Sequence, residues 1–198
     1  MNTIRALNKK FKSEYGELVI AADGKRSWRK EVFPFYKANR KKNREESDID
    51  WSLIFNCLNT IREELKDFFP YRVIHLDEAE ADDVIGTLAK RAAAAGHRVT
   101  ILTGDRDALQ LVDGHISVLA TGRGVTDTTR YDPAKVEERY GVPPPKMPDL
   151  RGMIGDSSDN LPGVPGIGEK TAAQLMAKYG SLEEILAHAD EQTPKRRE

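Results

Sequence analysis

The feature that most constrains this chain is a repeated pairing of a short apolar run with acidic residues just after it. "ELVIAA" (17–22) runs into Asp23, "YRVIHL" (71–76) into "DEAEADD", and "HRVTILT" (97–103) into "GDRD". Each run has the length and the Val, Ile and Leu content of a buried strand. "ISVLA" (116–120) is a fourth. Helical patterns lie between them. Trp51, Ile54, Phe55, Leu58, Ile61, Leu65 and Phe68 recur at spacings of three and four across 48–69, and an alanine-rich stretch over 78–95 is stopped by Gly96. "YDPAKVEERYG" has Asp132 as cap, Pro133 at the first helical position and Gly141 past the end, and "SLEE" (181–184) is a capping box opening a last helix. From Leu150 onward the chain reads as short helices joined by Gly/Pro turns. Strands alternating with helices predict an α/β fold with a largely parallel sheet flanked by helices.

In such a sheet, functional groups gather at the carboxyl ends of the strands. Asp23, Glu80, Asp82, Asp83, Asp105 and Asp107 fall there, and "GDSSDN" adds Asp156 and Asp159, one helical turn apart in spacing. Each piece has a local explanation. Asp77 and Glu80 resemble a capping box, Asp105 and Asp107 an ordinary turn, and Asp156 and Asp159 caps of the next segment. Acidic groups at successive strand ends, with more downstream, are harder to explain separately. Converging carboxylates repel one another unless cations neutralise them. An oxygen-only cluster suits Mg²⁺ or Mn²⁺ rather than zinc. Two such ions roughly 3.5–4 Å apart can activate a water and stabilise the leaving oxygen of a phosphodiester.

A formal net charge of −1 hides a split: residues 1–44 hold 13 Lys and Arg against 4 Asp and Glu, and the other 154 hold 18 against 28. The basic part suits a polyanion. In "KRSWRKEVFPFYKANRKKNREE" (25–46), Arg29, Lys37, Arg40, Lys41 and Lys42 interleave with Trp28, Phe33, Phe35 and Tyr36. Cations with aromatics suit single-stranded or frayed nucleic acid, by phosphate contact and base stacking. In "GVPGIGEKTAAQL" (163–175), Gly163, Gly166 and Gly168 bracket a tight hairpin leading into a helix, and Lys170 and Thr171 add donors. Glycines at a helix start let backbone amides approach a phosphate. The stretch lacks a P-loop ending and no strand leads into it, which argues against ATP. Sequence-independent grip on a DNA backbone fits better.

The single cysteine, Cys57, excludes an internal disulfide and reads as a core thiol. No apolar run approaches the roughly 18–20 residues that span a bilayer, and the N-terminus is no signal peptide, so a soluble cytoplasmic protein is expected. The four histidines are scattered without metal-ligand spacing, and the tail "EQTPKRRE" reads as polar and frayed.

Taken together, "EADD", "TGDRDALQL" and "GDSSDNLPGVPGIGEKTA" resemble the 5′ nuclease domain of bacterial DNA polymerase I and its stand-alone 5′–3′ exonuclease relatives. The wider group includes flap endonucleases and phage RNase H-type 5′ nucleases. The resemblance spans roughly 17–190. Residues 1–75 look closer to the phage branch and those from about 80 to the bacterial branch. It implies a PIN-like domain over 1–145, with a basic arch at about 25–46, and a helix–hairpin–helix subdomain over 146–198. It also implies a monomer that cuts branched or 5′-ended DNA and RNA/DNA hybrids with two divalent ions. Asp23, Glu80, Asp82 and Asp105 match first-metal or shared ligands, and Asp83, Asp107, Asp156 and Asp159 the second-metal side. Arg29 and Lys37 match catalytic residues at the scissile phosphate. Tyr36 matches a residue stacking on a terminal base, and the glycine hairpin an element that binds K⁺ in some relatives.

One departure stands beside these matches. The family begins with a strand carrying an early aspartate, in a pattern like Leu-x-Asp-Gly. This chain has no aspartate before Asp23, and residues 1–15 look helical and basic. The expectation is a chain that begins after that strand, with one sheet edge unpaired and weakened cleavage. The alternative is a branched-DNA-binding module of the same fold that does not cut. A PIN-type ribonuclease would need no helix–hairpin–helix element.

Overall fold

All four apolar runs form strands. In a computed structural model of the chain, which describes residues 2–122 and 124–192, the order is α1 (Asn2–Tyr15), β1 (Val19–Ala22), α2 (Arg29–Val32), α3 (Ala38–Glu45), α4 (Trp51–Phe68), β2 (Arg72–His75), α5 (Ala81–Ala94), β3 (Val99–Thr103), a 3-10 turn (Asp107–Leu111), β4 (Ile116–Gly122), β5 (Gly124–Tyr131), α6 (Pro133–Tyr140), α7 (Met147–Ile154), α8 (Glu169–Tyr179) and α9 (Leu182–Ala187). The tail from Thr193 lies outside the described residues. The capping signals act as expected. Asp132 accepts from the Lys135 amide, Ser181 from the Glu184 amide, and Gly96 and Gly141 take left-handed backbone past their helices.

β1 pairs parallel with β2, Val19 opposite Arg72, and β3 parallel with β4, Val99 opposite Ile116. The sequence does not announce β5, which runs antiparallel to β4 with Tyr131 opposite Val118. "GVTDTTRY" has no apolar run, but its threonines suit a sheet edge, where only one side is hydrogen-bonded. The strands form two sheets rather than one, β1–β2 and β3–β4–β5. Among the described residues, one side of β1 and one side of β3 have no strand partner.

The main core is built from α5, β3–β5 and α6–α9, with Leu109, Ile116, Val118, Val136, Met147, Leu150 and Met153 fully buried. It runs unbroken across the expected boundary at 145/146. The N-terminal part contributes little: among the described residues before residue 81 the buried hydrophobic side chains are Tyr36 and Leu65. The helix expected over 48–69 forms, but one expectation about it fails. Of the apolar stripe on α4 only Leu65 is buried, while Phe55, Leu58 and Phe68 are exposed, because few elements pack against that helix. Cys57, on the same helix, is exposed rather than a core thiol.

Candidate active site

Asp23 follows β1 directly, and its place is fixed by a glycine. The Gly24 amide donates to the Ala79 carbonyl (2.9 Å) and the Arg26 amide to the Asp77 carbonyl (3.0 Å). A Cβ on Gly24 would lie 2.2 Å from the Leu76 carbonyl oxygen, so only glycine permits this approach. Asp23 Oδ1 then accepts from the amide of Ala81, the first residue of α5, at 2.8 Å. The expected Asp77–Glu80 capping box is not the one that forms. The 76–79 turn is bonded to the Gly24 strand end instead, so α5 starts later, with Glu80 as cap and its amide donating to Asp83 Oδ2 (3.1 Å). Asp105 lies two residues past the end of β3 and accepts from the Asp107 amide at 2.8 Å. Asp156 and Asp159 sit on a turn after α7, not on a helix: Asp156 bridges to Leu161, and its Oδ1 accepts from the Ser158 amide and hydroxyl.

Basic side chains fill the spaces between these acids. Arg29 takes both oxygens of Asp83 (2.8 and 2.9 Å) and lies 3.4 Å from Glu80. Lys37 donates to Glu80 (3.0 Å) and stands 3.7 Å from Asp159, which also accepts from Arg40 at 2.7 Å. Arg151 spans Asp107 (2.9 Å) and Asp156 (2.7 Å). Sequence reasoning missed Arg151; its position five residues before Asp156, one turn of helix behind a loop, was the available signal. Tyr36 does not present a stacking face. It is 6% exposed, and its hydroxyl donates to Glu80 (2.9 Å) and approaches Asp159 (3.2 Å). Arg29 and Lys37 likewise face carboxylates rather than an open phosphate position, because the cluster draws the nearest cations.

The titration behaviour follows from these partners. The Arg29 hydrogen bonds hold Asp83 below the ordinary carboxylate value. Burial pushes Glu80 up, but hydrogen bonds from Lys37 and Tyr36 outweigh it and leave it lowered. Burial, then the bond to Glu80, raises the Tyr36 phenol. Ser158 hydrogen bonding lowers Asp156, and burial raises Asp107 despite Arg151. Asp82 differs: burial raises it first, and the charges of Asp105 and Asp23 raise it further.

The site therefore has two electrostatic halves. Glu80, Asp83, Asp107, Asp156 and Asp159 are matched by side-chain cations. Asp23, Asp82 and Asp105 make no ion pair among the described residues; at Asp82 burial and the charges of Asp105 and Asp23 outweigh the opposing charge of Lys37. Among the described residues no three acidic, His or Cys side chains are already gathered as ligands. The donor chemistry nonetheless fits a hard divalent cation, being all carboxylate and, at Asp82, short of positive charge. Arg29, Tyr36, Glu80, Asp82, Asp105 and Asp159 line one cleft of about 400 Å³.

A polar clasp ties the basic segment to the acidic turn. The Lys37 amide donates to the Asp159 carbonyl (2.9 Å), Asn39 Nδ2 to Ser157 O (2.8 Å), Arg40 Nε to Ser158 O (3.2 Å) and Asn160 Nδ2 to Phe35 O (2.8 Å). Lys37 and Asn160 both adopt left-handed backbone, φ 54° and 58°. Arg40 is thus at the cleft, whereas Lys41 and Lys42 are exposed and pair along α3 with Glu45 and Glu46. The hairpin glycines divide by role. Gly163 is required by packing, since a Cβ there would lie 2.1 Å from the Ile154 carbonyl oxygen. Gly166 takes φ 81°, and Gly168 caps α8 with open space around it. Lys170 is exposed and Thr171 half-buried in the first turn of α8.

The chain is similar to proteins of a known family. The family described as 5′–3′ exonuclease, N-terminal resolvase-like domain, matches residues 1–141, and its C-terminal SAM fold matches 142–198. DNA polymerase I of Bacillus caldotenax is 42% identical over 88% of this chain and 19% of its own. That of Thermus filiformis is 41% identical over 96% and 21%. The chain thus spans about a fifth of the length of these relatives. A phage T5 5′-exonuclease with bound zinc superposes with TM-score 0.78 at 24% identity, covering 94% of this chain and 68% of that one. A phage T5 flap endonuclease in complex with DNA and metal ions does so with TM-score 0.75 at 25% identity, also covering 94% and 68%. No described helix is long and apolar enough to cross a membrane.

Proposed function

We propose, from the premise that this chain belongs to the 5′–3′ exonuclease family, that it hydrolyses phosphodiester bonds in 5′-ended or branched DNA, and in RNA/DNA hybrids, with divalent metal. The observation that carries this reading is the acidic cleft lined by Glu80, Asp82, Asp83, Asp105, Asp107 and Asp159, in which Asp82 has no ion-pair partner among the described residues and feels the charges of Asp105 and Asp23. These three, with Glu80, would hold a first Mg²⁺ or Mn²⁺, and Asp83, Asp107, Asp156 and Asp159 a second. Bound ions would activate a water and offset charge on the leaving oxygen. The chain's own cations have two states in this reading. Without substrate, Arg29, Lys37 and Arg40 pair with the acids. With substrate, they turn to phosphate oxygens, a charge-assisted contact for which arginine geometry is well suited. Residues 1–145 carry the cleft and the basic segment. Residues 146–198 supply Asp156 and Asp159 and grip the duplex through Gly166, Gly168, Lys170 and Thr171, with K⁺ as the expected ion at the hairpin.

The test is cleavage of a 5′-flap DNA in Mg²⁺ and in Mn²⁺, with Asp105→Ala as control. Cleavage that needs the divalent ion and disappears in the variant is the expected result. Forked DNA bound tightly but left uncut under both ions would sink the hydrolase reading in favour of a binding module.

A further inference from the structure

One cation sits among the acids in sequence and stays out of their cleft. In "GDRD" (104–107), Arg106 stands between Asp105 and Asp107. Both aspartates line the acidic cleft, and Arg106 does not. Its side chain is half-buried and reaches the last residue of β5. Nη1 donates to the Tyr131 hydroxyl at 3.2 Å, and the guanidinium carbon lies 5.6 Å from the centroid of that ring. Tyr131 is itself fixed: it is 7% exposed, belongs to the main core and pairs across the sheet with Val118. A carboxylate is the stronger partner for a guanidinium. Adjacency does not forbid such a pair in this chain, since Arg62 binds its neighbour Glu63 at 3.0 Å. Among the described residues Arg106 nonetheless makes no ion pair. Asp107 takes Arg151 instead, at 2.9 Å, and Arg151 is the positive charge that acts on it most.

We propose that Tyr131 is a positioning residue: it draws Arg106 out of the cleft and so keeps the Asp82 and Asp105 side open to a divalent cation. The inference rests on the proposed function in one respect, that Asp105 helps to hold such an ion. An arginine free to swing in this turn would fall onto one of the aspartates that flank it. It would then neutralise a carboxylate that the ion needs, and the ion would have to displace it. Tyr131 prevents this by offering the guanidinium a hydroxyl acceptor and a π face together, which suit a half-buried cation. The shape of the turn does not depend on the Arg106 side chain. It is set by backbone partners: the Asp105 amide donates to Thr103 Oγ1 (3.0 Å), the Asp107 amide to Asp105 Oδ1 (2.8 Å) and the Leu109 amide to the Arg106 carbonyl (3.0 Å). What Tyr131 controls is therefore where the charge of Arg106 lies. The strand that no apolar run announces, β5, puts the tyrosine in reach.

The experiment is a double-mutant cycle read by Mn²⁺ titration calorimetry without nucleic acid, with flap cleavage in Mg²⁺ run in parallel. Tyr131→Phe removes the hydroxyl and keeps the ring. Tyr131→Leu removes both and keeps an apolar side chain in the core. Mn²⁺ affinity should fall about threefold in the first and about fivefold in the second, the size of an exposed ion pair that forms at the site. Arg106→Gln alone should stay within about twofold of the wild type, since the arginine lies outside the cleft. Arg106→Gln combined with either tyrosine variant should return the affinity to the wild-type value. A loss that persists in the double variants would mean that the tyrosine acts by supporting the fold, and would overturn the proposal. An equal loss in Arg106→Gln alone, or none in Tyr131→Phe and Tyr131→Leu, would overturn it too. If leucine at 131 unfolds the protein, Tyr131→Phe decides the outcome, because it keeps the core ring. Rescue in the double variants without flap cleavage by the wild type supports the positioning role and sinks the hydrolase reading. Cleavage without rescue does the reverse. Wild-type protein that binds no Mn²⁺ removes both.

Discussion

Arg29 grips Asp83 through both carboxylate oxygens, at 2.8 and 2.9 Å, across 54 residues of sequence. The same guanidinium lies 3.4 Å from Glu80. It therefore supplies these two acids with positive charge that, on the proposed function, a divalent ion would supply. Arg29→Gln should leave both acids short of positive charge. Affinity for Mn²⁺, read by titration calorimetry, should rise a few-fold, and affinity for forked DNA should fall a few-fold as a phosphate partner is lost. A variant that binds Mn²⁺ more weakly would mean that Arg29 organises the ligands rather than competing for them.

Asn160 combines a left-handed backbone, φ 58°, with a side-chain bond to the Phe35 carbonyl at 2.8 Å. Two substitutions separate these. Asn160→Ala loses both and should cost about 1–2 kcal/mol in urea unfolding. Asn160→Gly keeps the backbone freedom and should lose about half of that. Equal losses in the two variants would show that backbone geometry is irrelevant at this position.

Gly163 and Gly168 look alike in sequence and differ in the structure. A Cβ at 163 would meet the Ile154 carbonyl oxygen at 2.1 Å, while one at 168 meets nothing within 4 Å. Gly163→Ala should cost on the order of 3 kcal/mol and lower the melting temperature sharply. Gly168→Ala should stay within about 1 kcal/mol of the wild type. Its readout is DNA affinity, which should fall because a methyl group stands where backbone amides meet phosphate. Comparable melts for the two variants would contradict the packing argument.

Asp82 supplies a pH prediction with a definite sign. Burial and the charges of Asp105 and Asp23 raise it above the ordinary value of 3.8. A carboxylate raised in the folded state binds its proton more tightly there than when unfolded. Its ionised form thus costs stability at pH above the folded value, and the cost vanishes below the unfolded one. In metal-free protein, Asp82→Asn should melt higher than the wild type at pH 7 and equally at pH 3. In Mn²⁺ the order at pH 7 should invert, since the asparagine is a poorer ligand. A variant that melts lower at pH 7 without metal would refute the repulsion.

The strands and most helix boundaries were legible because they rest on local signals: apolar runs, Asp132 and Ser181 as caps, Gly96 and Gly141 as stops. β5 was not, because its threonines carry no periodic apolar pattern and its place depends on β4. The acids of the site were visible as residues following strands. Their partners were less so. Arg29 with Asp83, Arg151 with Asp107, and Tyr36 buried on Glu80 are contacts between distant segments, which spacing does not encode. Cys57 was misplaced for the converse reason: the periodicity of α4 shows that a face is apolar, not that anything covers it.

Among the described residues before residue 81, only Tyr36 and Leu65 contribute buried hydrophobic side chains. The N-terminal part is thus fastened to the rest chiefly by ion pairs and polar bonds, and the remainder by apolar burial. These two kinds of attachment respond to different variables. Dissolved ions screen the first and leave the second almost untouched. Ionic strength, more than heat, is then the handle that loosens one portion of this molecule while the other persists as a cooperative unit. A polyanion acts on the same fastenings, because Arg29, Lys37 and Arg40 cannot serve a phosphate and a carboxylate at once. Arrival of the nucleic acid and release of the basic segment are, on this architecture, a single exchange of counterions.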